Sequence, residues 1–305
     1  MPELCVGERR WAVPTGSNLL DALNDAGVSV PYSCRAGSCH ACLVHCLEGQ
    51  PVDALPEALA LEKHAQGWRL ACQCRVVGDL RVAVFDPLRD GLAARVCGLD
   101  WIGEVLRLRL SPERPWRYRA GQHVVLWLGE VARPYSLASL PGEDDFLEFH
   151  LDCSRPGAFC DQARQLQMGD EISLGELRGG ALHYDPDWQA RPLWLLAAGT
   201  GLAPLWGILR EALQQGHEGP IKVLHVAHTH YLAEALQALA GEQVSVELVA
   251  GEDFEAALAG LRLVSRQTVA LVCGAPGRVE QFARRLFIAG VPRGQVFADV
   301  FSEHA

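Results

Sequence analysis

The stretch "PYSCRAGSCHACLVHC" at 31–46 gathers Cys34, Cys39, Cys42 and Cys46, and "LACQC" at 70–74 adds Cys72 and Cys74. Cys34, Cys39 and Cys42 stand as C-x4-C-x2-C, and Cys72 follows after 29 intervening residues. That spacing suits a 2Fe-2S cluster: a wide gap, a narrow one and a distant fourth cysteine let a loop wrap the inorganic core with its amides aimed at the sulfurs. Ala36, Gly37 and Ser38 are small enough to line such a loop. Zinc is the alternative, with Cys39, Cys42, Cys72 and Cys74 as a four-thiolate set and His40 and His45 nearby. Structural zinc sites usually pair two short knuckles, whereas C-x-C is an awkward span and Cys34 would stand idle. The bacterial C-x2-C-x2-C-x3-C run does not fit, because His45 stands where its third cysteine belongs.

The chain of 305 residues is 49% hydrophobic, enough to bury two or three cores. Its net charge of -10 argues against nucleic acid or an anionic membrane as partner and favours a basic protein. "MPELCVGERRWAV" lacks the basic-then-apolar plan of a signal peptide, so a cytoplasmic protein is expected. In a reducing compartment the 11 cysteines favour metal or redox roles over structural disulfides, with Cys5, Cys97 and Cys153 as small buried residues. The uncharged run Pro192–Leu209 is broken by Gly-Thr-Gly and Pro204, which suits a buried strand, a tight turn and a helix rather than a membrane span.

Three textures position these residues. Residues 1–90 read as a small mixed α+β domain, with a helix near "NLLDALNDAG" ended by Gly27 and a strand at "LRVAVFD". Residues 98–188 carry short alternating runs ("EVLRLRL", "HVVLWLG", "FLEFHLD") between turn residues, which predicts an antiparallel barrel or sandwich. From 190 to 305 strands alternate with helices, which predicts an α/β domain with a parallel sheet. Residues 86–99 and 185–192 are the expected linkers.

"SCRAGSCHAC" and "LACQ" resemble a plant-type ferredoxin of β-grasp fold. "RPYS" at 133–136 resembles the flavin-binding strand of the ferredoxin-NADP reductase superfamily, "AAGTGLAP" at 197–204 its nicotinamide-binding turn, and "VCGAP" at 272–276 its late Cys-Gly motif. The order, ferredoxin then flavin barrel then nicotinamide domain, resembles the reductase components of bacterial oxygenases. The resemblance implies Cys34, Cys39, Cys42 and Cys72 as cluster ligands. It places Arg133 on flavin phosphate, Tyr135 on the isoalloxazine and Ser136 near its N5. A planar, permanently charged guanidinium suits a pyrophosphate.

The next flavin-phosphate stretch maps onto "FHLDCSRPGAFC", giving His150, Leu151, Gly157, Ala158, Phe159 and Cys160. Here Asp152 stands at a position where a basic residue is common, and Cys160 where serine is. The nicotinamide turn implies Gly199, Thr200, Gly201 and Pro204, with Cys273 and Gly274 beside the nicotinamide ring and a terminal aromatic, Phe297 or Phe301, against the flavin. A nicotinamide gives up two electrons together and a 2Fe-2S cluster takes one, so a flavin must lie between them. The domain order favours FAD over FMN. A 2′-phosphate is normally held by Arg or Lys beyond the second strand, and none occurs between Lys222 and Arg262, so NADH is expected over NADPH, although His228 and His230 follow that strand. The expected partner is an oxygenase component or another electron acceptor such as a deoxysugar dehydrase. The alternative from a different class is a redox-sensing or scaffold protein with impaired turnover.

Overall fold

Alternation of apolar and polar residues organises the first ninety residues into β1 (Glu3–Val6), β2 (Arg9–Ala12), β3 (Leu43–Glu48), β4 (Trp68–Leu70) and β5 (Leu80–Val84). The structure is a computed structural model and describes residues 1–301. These strands form one sheet in the order β2-β1-β5-β3-β4, with β1 and β5 parallel and the other pairs antiparallel. Helix α1 (Leu19–Asp25) buries Leu19, Leu20 and Leu23, and Asn18 caps it by accepting from the Asp21 amide at 3.2 Å. Gly27, at φ +74°, follows its end as expected of a helix stop. Leu4, Leu20, Leu43, Val82 and Phe85 share one core with Val125, Trp127 and Ala132 from much later in the chain.

The middle of the chain supplies β6 (Leu92–Ile102), β7 (Val105–Pro112), β8 (His123–Leu128), β9 (Val131–Ser136) and β10 (Leu147–Asp152), then helix α2 (Ala158–Ala163) and β11 (Glu171–Arg178). The strands belong to one six-stranded sheet in the order β9-β8-β11-β6-β7-β10. β6 and β7 meet through the two-residue turn Gly103-Glu104, where Gly103 adopts φ +58°. The stretch expected as the first linker, 86–99, is instead a helical turn at Pro87–Asp90 and most of β6. Leu92, Ala94 and Val96 point inward on alternate positions, a period that the flanking glycines and charges obscure. The second expected linker holds a single turn at Pro186–Trp188 and buries Trp188.

The last third alternates β12 (Leu193–Ala198), α3 (Leu202–Gln214), β13 (Ile221–Val226), α4 (Ala233–Leu239), β14 (Val244–Val249), α5 (Phe254–Gly260), β15 (Val269–Gly274), α6 (Pro276–Ala289) and β16 (Val296–Val300). The sheet is wholly parallel in the order β14-β13-β12-β15-β16. Leu193, Leu195 and Ala197 pack into one core with α3 and α4, while Trp194, Leu196 and Ala198 pack into another with α5 and α6. Successive residues of a strand feed opposite faces, so a strand covered on both sides reads as an unbroken apolar run. Among the described residues no helix is long and apolar enough to cross a membrane. The chain divides into two compact units, one of residues 1–93, 124–134 and 172–178, the other of residues 94–123, 135–171 and 179–305.

Candidate functional site

The loop between α1 and β3 turns on three residues with left-handed backbone, Arg35 (φ +51°), Gly37 (φ +80°) and His40 (φ +58°). Glycine at 37 is required by its left-handed backbone, and a side chain there would also have to displace Leu55 Cδ2, 2.7 Å from the Cβ position. The loop's amides turn onto its sulfurs. Ala36 N and Cys39 N donate to Cys34 Sγ at 3.3 and 3.4 Å, and Cys34 N donates to Cys39 Sγ at 3.4 Å. Gln73 Nε2 donates to Cys72 Sγ at 3.2 Å and to the Arg35 carbonyl at 3.0 Å, and Asn18 Nδ2 donates to the Cys72 carbonyl at 2.8 Å.

The four thiols form two pairs. The Cys39 thiol, aided by Ser38 and the amides, draws Cys34 down to about 4, and the Cys42 thiol draws Cys72 down to about 7. Two thiol pairs, each with a sulfur held ready as thiolate, fit a core of two iron atoms, and amide donors on the sulfurs stabilise its negative charge. The zinc set does not assemble. Cys74 is fully buried in the core, and His45 stacks on Trp68 at 4.8 Å with its Nε2 2.6 Å from the Gln66 carbonyl. Among the described residues no group of three or more His, Cys, Asp or Glu is disposed to hold one metal ion.

The residues expected at the flavin lie on β9, β10 and α2. Arg133 is half-buried, with Nη1 2.9 Å from the Ala132 carbonyl. Tyr135 is half-buried with its ring 5.1 Å from that of Phe159, and Ser136 is buried. Gly157 precedes α2, whose first turn holds Ala158, Phe159 and Cys160. Asp152 accepts from the Ser154 amide at 2.9 Å. His150 and Leu151 are buried in β10, and His150 bonds Glu148 Oε1 at 2.9 Å and the Tyr231 hydroxyl at 3.1 Å. Arg107 and Arg109 complete the network on Glu148, which burial alone would push up but which His150 and the two arginines hold down at about 2.

The parallel sheet supplies the third site. β12 leads out to β13 and β14 on one side, whereas β15 and β16 lie on its other side, so the topological switch falls between the carboxyl ends of β12 and β15. Gly199, Thr200 and Gly201 occupy one side of that crevice and Cys273 and Gly274 the other. They touch: a Cβ on Gly201 would lie 2.3 Å from the Cys273 carbonyl oxygen, and one on Gly274 would lie 2.7 Å from that of Ala198. Pro204 is buried in the first turn of α3, where its missing amide hydrogen costs nothing. The Cys273 thiol is fully buried and pushed far up by that burial, so it is neutral. Phe301 donates its amide to the Gly274 carbonyl at 2.9 Å and packs partly buried against the α3 core.

Several partners escaped the sequence reading. His225 Nε2 lies 3.0 Å from the Gly199 carbonyl and its Nδ1 lies 3.2 Å from His230 Nδ1, so His230 braces the turn through His225. Burial pulls His225 down to about 4, so it is neutral, donates from Nε2 and accepts from His230. Arg278, on α6, and His228, after β13, both approach Gly251, where a Cβ would lie 3.6 Å from His228 Cε1 and 3.9 Å from Arg278 Nη2. No spacing signal along the chain links these positions.

Paired thiols under inward amides and a glycine turn at a sheet switch point fit an electron-transfer protein that draws on a dinucleotide. Residues 6–77 match the family model described as "2Fe-2S iron-sulfur cluster binding domain". The chain is 29% identical over 325 aligned positions to the ferredoxin--NAD(P)(+) reductase component of the naphthalene 1,2-dioxygenase system of Pseudomonas putida, covering 98% of each. It is 35% identical over 237 positions to the reductase subunit of an aromatic O-demethylase of an Amycolatopsis species, covering 72% of this chain and 70% of that one. The crystal structure of the Amycolatopsis cytochrome P450 reductase GcoB matches 99% of each chain with a TM-score of 0.66 and 26% identity. The chain belongs to the ferredoxin-NADP reductase superfamily, among the oxygenase reductase components that carry an amino-terminal 2Fe-2S domain. It is an NAD(P)H-dependent oxidoreductase that delivers electrons to an acceptor protein.

Proposed function

We propose that this chain oxidises NADH, binds FAD, and passes single electrons through a 2Fe-2S cluster to an oxygenase component. The observation that carries the reading is the collection of Cys34, Cys39, Cys42 and Cys72 into two thiol pairs beneath the loop amides. These four cysteines would hold the cluster, with Gln73 and Asn18 fixing Cys72. When bound, a flavin accepts an electron pair and releases it singly, which the one-electron cluster requires.

Arg133 would neutralise flavin phosphate, and the backbone amides of Gly157 to Cys160, after His150 and Leu151, would hold an anion. Tyr135 would pack on the flavin ring, Phe301 would lie against it, and Ser136 would offer a hydroxyl near its N5. Gly199, Thr200, Gly201 and Pro204 admit the dinucleotide backbone closely. Cys273 and Gly274 position the nicotinamide, a role that suits a neutral buried thiol. Catalysis here is by placement, since hydride transfer needs the donor and acceptor atoms held at contact distance and water kept away.

NADH is favoured because no Arg or Lys, the residues that normally hold a 2′-phosphate, occurs between Lys222 and Arg262. The second reading, NADPH as an additional donor, is favoured by His228 and Arg278, both of which approach Gly251. Anaerobic titration tests both. NADH should bleach the flavin and iron-sulfur absorption of the purified protein together, NADPH should do so poorly, and released flavin should chromatograph as FAD. Colourless protein holding one zinc would overturn the reading, and flavin that stays oxidised under NADH would favour the redox sensor.

A further inference from the structure

His225 on β13 and His150 on β10 are buried, and each meets a group that can only accept a hydrogen bond. At one end His225 Nε2 donates to the Gly199 carbonyl at 3.0 Å, so its Nδ1 is left to accept, and His230 Nδ1 donates to it at 3.2 Å. At the other end His150 Nε2 donates to the Glu148 carboxylate at 2.9 Å, which leaves His150 Nδ1 to accept from the Tyr231 hydroxyl at 3.1 Å. Arg107 and Arg109 pin that carboxylate at 3.1 and 2.7 Å. The Tyr231 ring fills the gap between the two ends. Its centroid lies 4.9 Å from that of His150 and 5.8 Å from that of His225, edge-on to both at 76° and 87°.

A continuous line of contacts therefore runs from the ion-paired carboxylate of β10, through His150, Tyr231 and His225, to the first carbonyl of the turn Gly199–Gly201. That carbonyl also accepts from the Leu202 amide, so two donors fix the plane of the Gly199–Thr200 peptide. Gly199 adopts φ +56°, and a glycine there has little stiffness of its own. Filling a core asks for no buried nitrogens, each of which costs free energy unless it is bonded. The polar groups along this line are all bonded, and they end on the turn.

We propose that His225 and Tyr231 are positioning residues for hydride transfer, holding the nicotinamide-binding turn in register with β10. The turn and β10 belong to different sheets, and β10 runs against the turn. One element stands at the nicotinamide and the other at the flavin, so their mutual register sets the distance the hydride must cross. A misplacement of about 1 Å slows such a step by about a hundredfold. That the two elements serve these cofactors rests on the reading above; the contacts between them do not.

The test first follows hydrogen-deuterium exchange in the flavin-loaded holoprotein without NADH. His225→Phe, which fills the space and removes the donor, should raise deuterium uptake in the peptide covering 197–204 severalfold and leave that covering 276–289 unchanged. His225→Gln, whose amide nitrogen can reach the place of Nε2, should return uptake to the wild-type level. In stopped flow, His225→Phe should slow flavin reduction at saturating NADH at least about tenfold, while the half-saturating NADH concentration moves less than about twofold. His225→Gln should recover most of that rate. Tyr231→Phe keeps the ring and loses the hydroxyl, so it should show the same two changes in smaller measure, and it carries the comparison if His225→Phe fails to fold. Uptake at 197–204 equal to wild type, a defect confined to NADH affinity, or a glutamine no better than phenylalanine would each overturn the proposal. Wild-type flavin that stays oxidised under NADH would overturn the reductase reading while the exchange result still reports on the contacts, so the two failures are distinguishable.

Discussion

At Cys72 the sulfur receives Gln73 Nε2 and sits half-exposed, whereas the Cys74 sulfur is fully buried among apolar side chains. Cys72→Ser is expected to abolish iron-sulfur absorption while NADH still reduces the flavin. Cys74→Ser is expected to keep both chromophores and to lose about 1–3 kcal/mol of stability in a chemical melt, the cost of burying a hydroxyl. If those outcomes were exchanged, the ligand assignment would fall. His225 carries a prediction in pH. Its folded value of about 4 lies below the ordinary 6.5, so protons bind the unfolded chain preferentially. Its contribution is full above about 6.5 and lost as pH falls toward about 4, which amounts to roughly 3 kcal/mol at about 1.4 per pH unit. Melts at neutral and mildly acid pH should show that slope, and His225→Asn should flatten part of it.

The turn after β12 was legible as strand, turn and helix, because its glycines and Pro204 act within a few residues of one another. What the spacing leaves out is why glycine is needed at 201: the carbonyl of Cys273, seventy-two positions on, lies where a Cβ would go. Gly201→Ala must part the ends of β12 and β15. It is expected to lower kcat/KM for NADH at least about tenfold through misplacement of the dinucleotide, with iron-sulfur absorption retained. β6 shows the opposite case. It was read as linker because "DPLRDGLAARVCGL" opens on turn residues and charges, and its period-2 burial appears only once the neighbouring strands give it a face.

At the scale of the whole molecule, a net charge of -10 would draw in an acceptor that carries a basic face. Electron delivery to the acceptor is expected to slow as ionic strength rises past about 0.1 M, where screening shortens to about 10 Å, while NADH-driven flavin reduction changes little. Stopped-flow runs at two salt concentrations separate the steps. The sequence by itself determined the cysteine loop, the three textures and the order of the motifs, because each depends on residues close along the chain. Only the tertiary structure decided that Cys34 pairs with Cys39 and Cys42 with Cys72, and that Trp127 shares the core of the first ninety residues. It alone set His225 on the Gly199 carbonyl and the Cys273 carbonyl against Gly201. Contacts such as these depend on packing, and packing joins positions that no periodicity along the chain connects.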